Sequence, residues 1–315
     1  MSDEFLRVEA PIAELVPPQW REGWVWMTCY RMYCVAQDQL LTGWEIDLLG
    51  VSGHLLWGGA PYFEQTHRIR AEPDGSIVVA MNVEGVCHSD DGPFLLLMTP
   101  TDRAGDPGDE ETISRVRAIV ALLRLALGPN VAAEHLGDLS INPSTDEVKA
   151  AGPALSMPNW DGPPDVSDAA LAFLNDLHLA LDRLDGVQRN RVELSLLWFF
   201  KAQKNHGVDS FLMYWFTLEA LAMPGSAKVS ALETALANAY AISLDEARRR
   251  FRMGRLYGLR GGIVHRGVQP SVHARLLEFM AAVYWDLLLD KVGLPPRQAA
   301  ERLLIAHGAD PWFPR

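Results

Sequence analysis

Arg255-Leu-Tyr-Gly-Leu-Arg-Gly-Gly-Ile-Val-His-Arg-Gly267 is the stretch on which the reading of the fold turns. It lies late in a chain of 315 residues and sets an arginine and a histidine five positions apart, Arg260 and His265. Arg248, Arg249, Arg250, Arg252, Arg255, Arg260, Arg266 and Arg275 follow one another with no acid between Ala247 and Leu277, a local basic field. Imidazole titrates near neutral pH, and guanidinium stays charged and can make a two-pronged contact to phosphate. The residue types suit an anionic substrate and a proton-transfer step.

Outward from this stretch the pattern is helical on both sides. Helices are expected from Ser167 to near Gly186, from Val187 to His206, and from Asp209 to Met223, where Pro224-Gly225 stops the third. Two more are expected at Ser226–Ala241 and from a Ser243 cap through Leu259. One from Ser271 to Lys291, ended by Gly293 and Pro295-Pro296, and a short one from Arg297 to His307 close the chain. The first half reads differently. From Gly23 to about Pro100, short apolar or aromatic runs alternate with turn residues, and Asp74-Gly75 is a hairpin-type dipeptide between two such runs. Ile113 to Leu127 then has helical periodicity and stops at Gly128-Pro129. The stretch 129–164, with Asn142-Pro143, Pro153, Pro158, Pro163 and Pro164, suits a connector. The expected class is α+β: a mainly-β, acidic domain over 1–128 with one terminal helix, the connector 129–164, and an all-α bundle over 165–315.

A hydrophobic content of 49% allows a full core, and the length allows two domains. Met1 to Trp20 has acids and no uninterrupted apolar run, and no later stretch approaches the length of a membrane span, so a cytoplasmic protein with no membrane partner is expected. Three cysteines, Cys29, Cys34 and Cys87, make no disulfide framework. The net charge of −12 opposes nucleic-acid binding, but it is uneven: residues 1–150 carry 23 acids and 10 bases, residues 151–315 carry 17 and 18. Nucleotide-loop, dinucleotide, esterase-elbow and metalloprotease motifs are missing, so those function classes lack support.

Two stretches of the helical half carry a resemblance. Tyr214-Trp-Phe-Thr-Leu-Glu-Ala-Leu221 is similar to the apolar helix with a Leu-Glu-Ala-Leu core in the Apea-like branch of the HEPN superfamily. Arg255 to Gly267 resembles that branch's arginine, four to six residues, histidine signature. The resemblance covers roughly 165–307. It implies metal-independent endonucleolytic cleavage of RNA, in which the ribose 2′-hydroxyl attacks the adjacent phosphate, with Arg260 and His265 catalytic and no metal or cofactor. DNA, without the 2′-hydroxyl, would be refused. The resemblance implies further that Glu219 orients the histidine or pairs with an arginine. Tyr257 is grouped with it as a supporting residue, and the setting is bacterial antiphage defence or toxin-like growth arrest. Active members often carry a polar residue, commonly Asn, directly after the arginine, where this chain has Gly261.

Spacing adds an independent expectation. Residues five apart on a helix are separated by about 140° of rotation, so one undistorted helix does not easily aim both at one phosphate; the resemblance implies a homodimer in which two copies of the motif face each other across a shared cleft, and the spacing is compatible with that. Gly261 and Gly262 suit close approach of another backbone. Arg248, Arg249, Arg252, Arg255 and Arg266 are either RNA contacts or a solvated helix face. Trp198, Phe199, Phe200, Tyr214, Trp215 and Phe216 sit in apolar runs and read as bundle core rather than a base-stacking platform. A non-catalytic dimerisation or adaptor module is the rival reading. In the nuclease reading the acidic N-terminal domain senses a trigger ligand or binds a regulatory protein; a third reading is a small-molecule sensor with a pocket lined by some of Trp24, Trp26, Tyr30, Trp44 and Trp57. Cys29, Cys34, Cys87 and His88 lack the spacing of a zinc site.

Overall fold

Period-two patterning builds the first part of the molecule. The computed structural model describes residues 6–7, 14–33, 35–40, 44–58, 60–71, 77–89, 92–102, 110–145, 147–150, 164–223, 225 and 228–307. The chain divides into two compact units, Met1–Asn175 and Asp176–Arg315, and its class is α+β. In the first unit the strands are β1 (Leu6–Arg7), β2 (Trp24–Arg31), β3 (Trp44–Leu48), β4 (Val51–Trp57), β5 (Ala60–Ala71), β6 (Ile77–Ser89), β7 (Pro93–Thr101), β8 (Glu134–Asn142) and β9 (Glu147–Ala150), with helix α1 over Glu110–Leu127. Seven form an antiparallel sheet in the order β1-β9-β8-β2-β7-β4-β3, and β5 and β6 pair separately. The Asp74-Gly75 turn lies outside the described residues, but the strands on either side of it pair antiparallel, Ala71 opposite Ile77.

Edge strand β3 alternates strictly, with Trp44, Ile46 and Leu48 buried and Glu45 and Asp47 exposed. Central β2 is buried on both faces from Val25 to Tyr30. Val25, Met27 and Cys29 join Phe94, Leu96, Met98, Leu139 and Ile141 in one core, which Leu15, Val16 and Trp20 close. That covering segment is tied down where Arg21 Nε donates to the Val16 carbonyl and the His54 ring bonds the Leu15 carbonyl, each at 3.0 Å. Trp26, Thr28 and Tyr30 point to the opposite face, where Tyr30 feels the charges of Arg117 and Arg124 on α1. Trp26, Tyr30 and Trp44 are packed in the interior of this unit, while Trp24 and Trp57 are half-buried.

The expected connector 129–164 is corrected over its first part. Residues 134–142 form β8, which lies between β2 and β9 in the sheet, and 147–150 form β9. Asn142-Pro143-Ser144-Thr145 is the turn between them: the Asn142 side chain accepts from the Ser144 N–H at 3.1 Å, and the Thr145 N–H reaches the Asn142 carbonyl at 3.2 Å. A tight hairpin turn and a linker share the same residue preferences. The division between units falls at Asn175, later than expected; residues 151–163 lie outside the described ones.

The second unit is helical: α2 (Asp168–Asp182, which begins before it), α3 (Gly186–Lys204), α4 (Gly207–Ala222), α5 (Val229–Ala239), α6 (Leu244–Phe251), α7 (Met253–Arg266), α8 (Ala274–Lys291) and α9 (Ala299–His307). Capping fixes several starts. Asp185 accepts from the Gln188 N–H at 2.8 Å, and Ser243 from the Glu246 N–H at 3.2 Å. Helices α3 and α4 pair, and α8 packs against α4, α5 and α9. At the centre Phe199 stacks on Tyr284 with ring centroids 5.0 Å apart, and the Tyr284 and Ser195 hydroxyls bond at 2.8 Å. The single helix expected from Ser243 through Leu259 is two. Arg252 takes the left-handed conformation, φ 51°, ψ 35°, and separates α6 from α7.

Among the described residues no helix is long and apolar enough to cross a membrane.

Candidate functional site

Helix α7 sits on α5 through Met253 and Leu256, both fully buried, and leaves its opposite side open. Its end is set by Gly267, left-handed at φ 64°. There the Gly267 N–H bonds the Ile263 carbonyl and the Val268 N–H reaches back to Gly262, each at 3.2 Å, a glycine-terminated helix stop. Arg260 therefore lies in the second half of the helix and His265 in its last turn, past the end at Leu259 expected from the sequence. A cationic or polar group in that turn also faces the negative end of the helix dipole.

Three of the expected residues meet on one surface. Glu219, on α4, accepts a hydrogen bond from Trp215 Nε1 at 2.6 Å, and the same oxygen, Oε1, stands 3.6 Å from Arg260 Nη2. The other terminal nitrogen, Arg260 Nη1, stands 3.5 Å from His265 Nε2. A five-residue spacing on one helix thus leaves the two side chains within reach of each other, because the arginine side chain is long enough to approach the ring. A guanidinium has donors only, so this contact is a hydrogen bond when His265 Nε2 is unprotonated. His265 is exposed, and Arg260 and Glu219 are partly so. Arg260 Nε is buried and has no hydrogen-bond partner. Tyr257, one turn before Arg260, lies against Trp215 with centroids 5.9 Å apart and is 36% exposed.

The arginine-rich stretch separates into two groups. Arg248 pairs with Glu233 at 2.9 Å and with Asp245 at 3.5 Å. Arg249 and Arg250 both bond Glu246, and Arg250 also bonds Glu301 on α9. Hydrogen bonds from Arg250 and then Arg249 hold the Glu246 carboxyl below its ordinary range. These arginines join α6 to α5 and α9. Of the expected RNA contacts, Arg248 and Arg249 are engaged in that network, and Arg252 is half-buried at the break between helices. Arg255 and Arg266 are exposed, as is Arg275. The Arg266 guanidinium lies over Gly262, where an added Cβ would meet its Nη2 at 3.1 Å. Gly261 meets nothing within 4 Å.

Trp215 is the site residue that sequence reasoning placed only in the core. It is fully buried, yet its indole N–H is what positions Glu219. The signal was its i,i+4 spacing to Glu219, which puts the two on one helix face. Among the described residues no group of three or more His, Cys, Asp or Glu side chains could hold a metal ion. Cys29 is buried, and burial pushes its thiol up to about 12; Cys34 and the side chains of Cys87 and His88 lie outside the described residues.

Fold and site together define an α+β chain whose helical unit exposes an arginine–histidine pair backed by a carboxylate. No family model, curated protein or solved structure matches the chain.

Proposed function

We propose that the helical unit is a HEPN-type endoribonuclease acting as a homodimer, without metal, by attack of the RNA 2′-hydroxyl on the adjacent phosphate. The observation that carries this reading is the meeting of Glu219, Arg260 and His265 at one exposed surface. An unprotonated His265 Nε2 is the form that accepts the 2′-hydroxyl proton. Arg260 supplies the fixed cation for charge growing on the phosphate oxygens, and Glu219 holds its far edge. As a phosphate takes over the arginine N–H that faces the ring, Nε2 is freed for the hydroxyl. Arg255 and Arg266 are available for flanking phosphates. The acidic first unit is the regulatory part in this reading, its charge opposing RNA, and antiphage defence or growth arrest is the setting.

A non-catalytic dimerisation module is favoured by a different observation: Tyr257, Val264 and Val268 are 36%, 46% and 44% exposed and lie on or just beyond α7. Incubation of the full chain with RNA in EDTA separates the two. A nuclease cleaves, and His265→Ala or Arg260→Ala lowers the rate about 100-fold or more; undiminished cleavage by both variants would exclude the catalytic role. A dimer without cleavage under any trigger leaves the module.

A further inference from the structure

Trp198 and Phe216 belong to runs that otherwise enter the core, yet both are only half-buried, whereas their neighbours Phe199, Phe200, Tyr214 and Trp215 are buried. Trp198 is on α3 and Phe216 on α4, and their rings lie 5.2 Å apart, tilted by 59°. Lys201 rests its ammonium 4.5 Å from the Trp198 ring centroid. Phe216 precedes Glu219 by three residues on α4, so the two are surface neighbours, and Glu219 leads directly to Arg260 at 3.6 Å. A partly open aromatic pair with an ammonium on it therefore has one member a single helical turn from the carboxylate that meets Arg260.

We propose that Trp198 and Phe216, with Lys201, form a stacking subsite for one unpaired base of an RNA strand whose neighbouring phosphate is held at Arg260 and His265. This rests on the nuclease reading above and adds to it where a base next to the held phosphate is placed. An aromatic face takes a base by stacking, and a nearby cation takes the backbone phosphate, the combination by which single strands are held without duplex geometry. Lys201 lies on the indole when the strand is absent and turns to phosphate when a base replaces it, since cation–π contact and ion pairing compete for the same ammonium. The charge of the surroundings selects the occupant: Lys201 on the indole and Arg260, which offsets the Glu219 carboxylate, suit an anionic strand better than an apolar peptide. A bases-in duplex has no free face to offer the ring.

The test uses the full chain and two probes: a short single-stranded RNA carrying 2′-O-methyl groups, which lacks the nucleophile, and the same sequence as a duplex. Binding is read by fluorescence anisotropy and cleavage of the unmodified strand is followed in EDTA. Trp198→Ala is expected to weaken single-strand binding about ten-fold to a hundred-fold and to raise KM with kcat little changed. Trp198→Phe keeps most of the affinity, and duplex binding is unaffected by either. Equal melting temperatures for the two variants exclude a folding defect as the cause. If wild type cleaves and Trp198→Ala binds and cleaves like it, the subsite is overturned while the nuclease reading stands. If wild type neither binds nor cleaves RNA, both fall. If Trp198→Ala instead changes the sedimentation mass, the aromatic face is a contact between copies, and the subsite is again overturned.

Discussion

Glu219 shows how much one side chain decides at this site. It stands on an apolar helix, where an unpaired carboxylate is costly, and it is stabilised by the Trp215 indole and the Arg260 guanidinium. The arginine contact is long and partly solvated, so it adds little to stability; the indole bond is the stabilising one, because Trp215 is fully buried. Glu219→Ala is expected to cost about 1–3 kcal/mol by leaving that N–H without an acceptor, and Glu219→Gln clearly less, since it keeps an oxygen there. Urea unfolding of both variants measures the difference, and equal stability of the two would contradict this account. That a carboxylate at 219 needs a partner was legible in the sequence. Which partner it takes depends on the approach of α7 to α4, across residues distant in the chain.

Helix α7 is glycine-rich for a structural helix, with Gly254, Gly258, Gly261 and Gly262 inside it. At Gly258 and Gly261 a Cβ would meet nothing within 4 Å, and neither has positive φ. Ala at either position should therefore raise stability by about 1 kcal/mol, read as a higher urea midpoint at unchanged slope. If the glycine face meets a second copy, Gly261→Ala also weakens the dimer in sedimentation while the fold itself becomes more stable; a destabilised fold would mean that the backbone here is not the open helix seen. The start of α7 was not legible. Nothing in Arg249-Arg-Phe-Arg-Met253 marks a break, and Arg252 enters the left-handed region because packing of Phe251 and Met253, both fully buried, fixes the chain on either side of it.

At the scale of the molecule, the helical unit is held together by a buried carboxylate that the functional reading does not use. Asp286, on α8 and fully buried, accepts from the Tyr240 hydroxyl after α5 and from the Ala300 N–H at 3.0 Å in the first turn of α9. Burial, and then the bond to Asp286, push the Tyr240 hydroxyl well above its usual range, so it remains a donor. Asp286→Ala would orphan both donors and is expected to cost roughly 3 kcal/mol or more, with faster hydrogen exchange at the start of α9; Asp286→Asn, which keeps an acceptor, should cost less. Unchanged exchange at Ala300 in the alanine variant would sink this role.

The sequence by itself determined the α+β class, the helices of the second half nearly one by one, the acidic first half and the basic field around Arg260 and His265, because periodicity, caps, glycine and proline act over a few residues. Only the tertiary structure decided that Glu134–Asn142 and Glu147–Ala150 are strands of the sheet rather than connector, that Arg248 to Arg250 are largely engaged with carboxylates, and that Arg260 reaches both Glu219 and His265 in one chain. Strand pairing and ion pairing join residues far apart in sequence, and local pattern carries no record of which of them meet.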